Sequence, residues 1–170
     1  MRACCFTGHR NIPKYHEEIL RSRVRFCIEN YIKDGGKYFA CGGAMGFDLL
    51  AAEEVLKMKM LYPQIQMILL LPYVNFTSRW PESEKQRLQK ILFQSIYRYC
   101  SPCYQNRVYL QRDDILVQGS DTCICYLTRE RSGTCYTVRQ AVEQSLWICN
   151  IADENLWTQN PFKTAEPWYI

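Results

Sequence analysis

No run of apolar residues in this chain is long enough to cross a bilayer. The most apolar stretch, Met67 to Leu71, is far short of the roughly 20 residues that a spanning helix needs. The N-terminus shows no secretory leader either, because its apolar opening Ala3-Cys4-Cys5-Phe6 gives way at once to Thr7-Gly8-His9-Arg10. Basic tracts are missing as well. The formal charge of +4 is mild, and a cluster such as Arg21-Ser22-Arg23-Val24-Arg25 falls in a helical pattern that reads as a solvated face. Neither a Walker loop nor a Gly-x-Gly-x-x-Gly fingerprint is present. These absences exclude a membrane protein and an electrostatic nucleic-acid tract, and they predict a cytoplasmic chain without a membrane partner.

What is present fits one domain. A length of 170 residues with 48% hydrophobic and 22% charged residues can bury a substantial core. Ten cysteines are many for such a chain. Without a secretory signal they read as reduced thiols packed like small apolar side chains. Two close pairs, Cys100 with Cys103 and Cys123 with Cys125, have the number of thiolates that a zinc site uses. The second pair lies in a buried-strand pattern, however, so neither a metal nor a cofactor is expected.

Short apolar runs alternate with helical stripes. Strands are predicted at residues 2–6, 37–41, 64–71, 122–127 and 146–151, with a weaker one at 96–100. Helices are predicted at about 15–33, 47–60, 82–95, 104–118 and 134–145. In the first helix Leu20, Val24, Cys27, Ile28 and Tyr31 recur at three- and four-residue spacing. Pro63 and Pro72 are read as closing the second helix and the third strand. This rhythm implies parallel pairing through right-handed crossovers. The expected fold is α/β: a Rossmann-like, doubly wound, mostly parallel sheet with helices on both faces, over residues 1–151. Residues 152–170 are expected to form a tail packed on the domain or over a dimer interface.

In such sheets ligands lie outside the carboxyl ends of the strands, and three of those ends have chemical character. In Thr7-Gly8-His9-Arg10 the glycine permits close approach, the threonine offers a hydroxyl, and the arginine suits phosphate or carboxylate. The alternative is a plain turn with an exposed arginine and a histidine bonded to backbone. In Gly42-Gly43-Ala44-Met45-Gly46-Phe47-Asp48 a glycine turn leads from strand to helix, where amides and the helix dipole favour an anion. Asp48 would either cap backbone donors or hold a ribose hydroxyl; a purely structural turn is the alternative. In Ser132-Gly133-Thr134 the hydroxyls would cap the helix or cradle phosphate. Tyr73 and Trp80, in the loop after the third strand, are either base-stacking rings or loop anchors. Asn106, Arg107 and Asp113 either line the site or face water.

Together Cys5-Phe6-Thr7-Gly8-His9-Arg10, then the segment from Gly42 to Glu53, then Ser132-Gly133-Thr134-Cys135-Tyr136-Thr137-Val138 resemble the YpsA-like branch of the SLOG superfamily. That superfamily includes the DNA-processing protein DprA and the LOG phosphoribohydrolases. The resemblance covers nearly all of residues 1–151. It implies a pocket for a nucleotide or nucleotide-derived ligand, with Gly42, Gly43, Gly46 and Asp48 in one binding loop and Gly133 and Thr134 in the other. It also implies a ligand sensor or a small-molecule enzyme, often a homodimer. LOG enzymes carry Pro-Gly-Gly-x-Gly-Thr-x-x-Glu at the second loop, whereas Thr137 stands at the place of that glutamate. A threonine is no carboxylate base, which argues against LOG-type N-glycosidic cleavage unless Glu53 or Glu130 substitutes. DprA-like binding of single-stranded DNA would need a basic groove with stacking rings, and the thin spread of charge argues against it. The expected function is therefore a sensor of a phosphate-bearing, nucleotide-like small molecule.

Overall fold

The apolar runs and helical stripes alternate as expected in a computed structural model, which describes residues 3–152. The elements are β1 (Ala3–Gly8), α1 (Lys14–Lys33), β2 (Tyr38–Cys41), α2 (Phe47–Lys59), β3 (Gln66–Tyr73), α3 (Glu82–Phe93), β4 (Ile96–Ser101), α4 (Val108–Gln118), β5 (Thr122–Tyr126), α5 (Gly133–Glu143) and β6 (Trp147–Asn150). The tail expected beyond Ala152, with any dimer contact it would make, lies outside the described residues. No described helix is long and apolar enough to cross a membrane.

All six strands join one sheet in the order β4-β3-β2-β1-β5-β6, and every pairing is parallel. Strand parity divides the core in two. Cys4, Phe6, Phe39, Cys41, Leu69, Leu71, Ile124 and Tyr126 point to the face covered by α1, α2 and α3. Their neighbours Cys5, Ala40, Leu70, Cys123 and Cys125 point to the face covered by α4 and α5. Strands buried on both sides need apolar residues at consecutive positions, and the cysteines of β1 and β5 supply them. Eight of the ten thiols are buried, Cys100 is half-buried and Cys103 is exposed.

Two local readings change. Pro72 does not end β3, which continues to Tyr73. The last β2 partner is Cys41, opposite Leu69, so at Pro72 that flank of the strand has no ladder for a missing N–H to interrupt. The helix expected from residue 104 starts only at Val108, because Arg107 adopts a left-handed conformation with φ 64°.

Candidate functional site

The strand order reverses beside β1. The chain lays down β1 to β4 toward one edge, then crosses back to place β5 on the other side of β1. Loops leaving β1 and β5 diverge toward opposite faces at such a point and leave a crevice. Here that crevice is a cleft of about 470 Å³.

The cleft gathers most of the residues singled out by sequence. Thr7, Gly8, His9 and Arg10 line it from the end of β1, and Ala44, Met45 and Asp48 from the β2–α2 turn. Ser132, Gly133 and Thr134 line it from the start of α5. Asp113 lines it from α4, but Asn106 and Arg107 do not. Tyr73 and Trp80 are absent from its walls as well. They pack edge-on against Phe76 and anchor their own loop.

The glycines of the second turn divide by role. Gly42, Gly43 and Gly46 do not line the main cleft; they make room. A Cβ on Gly42 would run into the Arg112 guanidinium, and one on Gly43 into the side chain of Leu71. Gly46 has φ 79°, and a Cβ there would collide with the Arg10 carbonyl. The β1 and β2 turns are thereby laced together, and the Phe47 amide donates to the His9 carbonyl at 3.2 Å.

Asp48 bonds back into its own glycine turn. Its Oδ2 accepts from the Ala44 amide at 3.2 Å, and the side chain sits in the first turn of α2, where the helix dipole favours an acid. Burial pushes this carboxyl up to about 6, against the pull of Arg112 and the backbone amides. Ser132 caps α5, accepting from the Cys135 amide at 3.1 Å. His9 is a tether. Its Nε2 accepts from the Thr128 amide at 3.0 Å, and its Nδ1 faces the Thr134 hydroxyl at 3.5 Å. The first contact requires an unprotonated Nε2. Burial, helped by Arg129, lowers the His9 pKa and keeps the ring neutral.

Arg112 was not legible as a site residue, yet it organises the floor of the cleft. Its Nη1 donates to the Gly42 carbonyl at 2.6 Å, and its Nε lies 2.6 Å from Asp113 Oδ1. Burial opposes its charge, but Asp113 and Asp48 hold the guanidinium above its ordinary range. Asp113 is itself raised by burial, against Arg112 and a hydrogen bond from Thr137. Sequence does carry a signal: Val108, Arg112 and Leu116 recur every four residues and are all buried. The arginine therefore lies on the inward stripe of α4.

The carboxylates proposed as substitutes for a catalytic glutamate lie elsewhere. Glu53 turns toward α1 and α3, bonded to Arg21 and doubly to Arg87. Glu130 is exposed and does not line the cleft. Asp48 and Asp113 are the cleft's acids, with Arg10, Arg112 and Arg129 as its cations. Among the described residues no group of three or more His, Cys, Asp or Glu is arranged to hold a metal ion. The cleft carries both signs of charge: exposed Arg10 and Arg129 with the N-terminus of α5, and Asp48 and Asp113 around the buried Arg112. It suits a ligand with an anionic part and a hydroxyl- or amine-bearing part.

Comparison with known proteins agrees with this architecture. The profile of the YspA SLOG family (YpsA) matches residues 5–147. A UPF0398 protein of Oceanobacillus iheyensis is 27% identical over 148 residues, covering 79% of this chain and 78% of that protein. One from Lactiplantibacillus plantarum is 35% identical over 75 residues, but the match spans only 42% of this chain and 40% of that relative. Among solved structures, DNA processing protein A from Helicobacter pylori superposes with a TM-score of 0.64 at 20% identity, covering 94% of this chain and 73% of that one. Its counterpart from Streptococcus pneumoniae also gives 0.64, at 18% identity, covering 86% and 49%.

Proposed function

This chain belongs to the YspA SLOG family, and from that premise we propose that it is a sensor that binds a nucleotide-like, phosphate-bearing small molecule in the cleft beside β1. One observation carries the reading: three strand-end turns, far apart in sequence, converge on a single cleft of about 470 Å³. Phosphate would lie against Arg10, Arg129 and the opening turn of α5, where a backbone dipole and two exposed guanidinium groups favour negative charge. The sugar or base would face Asp48 and Asp113, whose burial makes them selective hydrogen-bond partners.

Thermal unfolding against a panel of nucleotides, dinucleotides and cyclic nucleotides tests the reading. A ligand at about a hundred times its Kd adds roughly 2.7 kcal/mol, and Arg10→Ala with Arg129→Ala should abolish that gain. No shift from any phosphate-bearing compound would overturn it.

One observation favours a second reading, hydrolysis of a nucleoside derivative: two acids, Asp48 and Asp113, line the cleft. It requires product from a compound that demonstrably binds, and long incubation without product removes it. Helicobacter pylori DNA processing protein A binds single-stranded DNA. For this chain the same activity would show a steep loss of affinity with salt, and salt-insensitive or absent binding of an oligothymidylate would exclude it.

A further inference from the structure

Cys27 of α1 and Cys149 of β6 stand 122 positions apart in the chain, yet their sulfurs lie 3.4 Å from each other. Both are buried in the core layer that α1 closes over the sheet, and Cys4 of β1 belongs to the same layer. A disulfide needs its sulfurs at about 2.05 Å, and a small rotation about the two Cα–Cβ bonds closes the difference. A helix side chain and a sheet side chain meet across a packing layer, as a bridge requires. Cys5 and Cys123, by contrast, are register partners on adjacent parallel strands and project side by side from one sheet surface.

Access and consequence both follow from β6. It is an edge strand, so fraying there opens Cys149 without unfolding the central strands. The residue after the thiol, Asn150, braces the loop behind the cleft. Its Oδ1 accepts from the Leu127 amide at 3.1 Å, and its Nδ2 donates to the Leu127 carbonyl at 3.0 Å. The next amide, that of Thr128, holds His9, and Arg129 of the same loop lines the cleft. Arg23, one turn before Cys27 on α1, donates to the Ile151 carbonyl at 2.8 Å. Helix and strand are thus already joined beside the thiol pair.

We propose that Cys27 and Cys149 are a reversible disulfide site: a peroxide oxidant links them, staples α1 to β6 and steadies the cleft wall that carries Arg129. One sulfur takes an oxygen atom from hydrogen peroxide, which gives a sulfenic acid and releases water. The other thiol displaces that hydroxyl as a second water and forms the S–S bond. Two thiols are oxidised, one peroxide is reduced to two waters, and a dithiol reductant reverses the change. The contact with Cys149 and burial push the Cys27 thiol up, which leaves little thiolate. The site therefore answers sustained exposure and not a brief pulse. Bond formation does not depend on what the cleft binds.

Cys103→Ser removes the exposed thiol and with it cross-linking between molecules. This variant, held folded in hydrogen peroxide for hours and then alkylated, should yield a Cys27–Cys149 peptide pair by mass spectrometry, lost on adding dithiothreitol. Because the bond closes a loop 122 positions long, the melting temperature should rise by about 5 °C or more. Amide exchange at Leu127 and Thr128 should slow. Cys149→Ala in the same background should abolish the rise, and Cys27→Ala serves if that variant does not fold. Thiols that stay free to alkylate, a cross-link through Cys4 or Cys5 in its place, sulfinic acid at either position, or a bond that forms only in urea overturns the proposal. A bond that leaves the melting temperature unchanged or lower overturns the staple.

Discussion

The hydroxyl of Thr137 donates to Asp113 Oδ2 at 3.1 Å across the α4–α5 interface. Position 137 thus holds a donor, and a carboxylate arrives there from a different helix. The same hydroxyl also reaches the Gly133 carbonyl at 3.1 Å, which joins the opening turn of α5 to the floor of the cleft. Thr137→Val keeps the shape and removes the donor. Loss of a hydrogen bond to a buried acid should cost about 1–3 kcal/mol, read by urea unfolding, with Thr137→Ser retaining most of the stability. A variant as stable as the parent would mean that the contact contributes nothing.

Two groups at the cleft oppose each other in pH. Asp48 is raised to about 6 from an ordinary 3.8. The folded chain therefore holds the extra proton between those values, and the contribution of Asp48 to stability falls as pH rises through them. His9 is lowered from 6.5, so the unfolded chain takes up the proton first, and stability is lost as pH drops below 6.5. Unfolding free energies at pH 5 and pH 7 separate the two. Relative to the parent, Asp48→Asn should gain with rising pH and His9→Gln should lose. Parallel profiles for all three proteins would refute the assignment.

Glycines at two of the turns should respond in opposite ways. Gly133 has nothing within 4 Å of a built Cβ, so Gly133→Ala should change stability by no more than about 0.5 kcal/mol. Gly46 combines φ 79° with the Arg10 carbonyl in the way. Left-handed strain and overpacking together put Gly46→Ala at about 2–4 kcal/mol. Similar midpoints for the two variants in denaturant would contradict this division.

Glu54 is fully buried and pairs with Arg21, Arg25 and Lys57 at 2.7–3.0 Å. Burial alone would raise its pKa, but the hydrogen bonds from these cations outweigh that and lower it. Its stabilising contribution is therefore full above the ordinary carboxylate range and is lost as pH falls through the folded value. Glu54→Ala removes the shared partner of three cations, of which Arg25 and Lys57 stay solvated and Arg21 keeps Glu17 and Glu53, and should cost about 1–3 kcal/mol at neutral pH. A change below 1 kcal/mol in calorimetric unfolding would show that the α1–α2 contact stands without it.

Much of this was legible because the fold repeats one local rule. Apolar runs such as Cys4-Cys5-Phe6 and Met67-Ile68-Leu69, short and bounded by turn residues, read as strands covered on both faces, and the turns after β1, β2 and β5 stand out by composition. Reading those three turns as one rim required only that the strands be parallel. What stayed hidden depends on distant contacts. The reason for Gly42 is Arg112, 70 positions along the chain, and no local pattern links them. Glu53 follows the glycine turn closely in sequence, but its place on α2 turns it to the opposite face, where Arg21 and Arg87 hold it. Pro72 marks a strand end by propensity. It sits inside β3 because the neighbouring strand stops first.

The division of the core into two faces also bears on how the protein emerges from the ribosome. Helices α1, α2 and α3 are all synthesised before α4, so β1 to β4 can have one face closed while the other still waits for its cover. The waiting face carries Cys5, Ala40 and Leu70, whereas the face already closed holds Phe6, Phe39 and Leu71. In the core of the late face β1 and β2 place only the small Cys5 and Ala40, and β3 adds the large apolar Ile68 and Leu70, so it offers less to grip than the face already closed. The half-made domain thus keeps its most adhesive surface covered until the second half arrives.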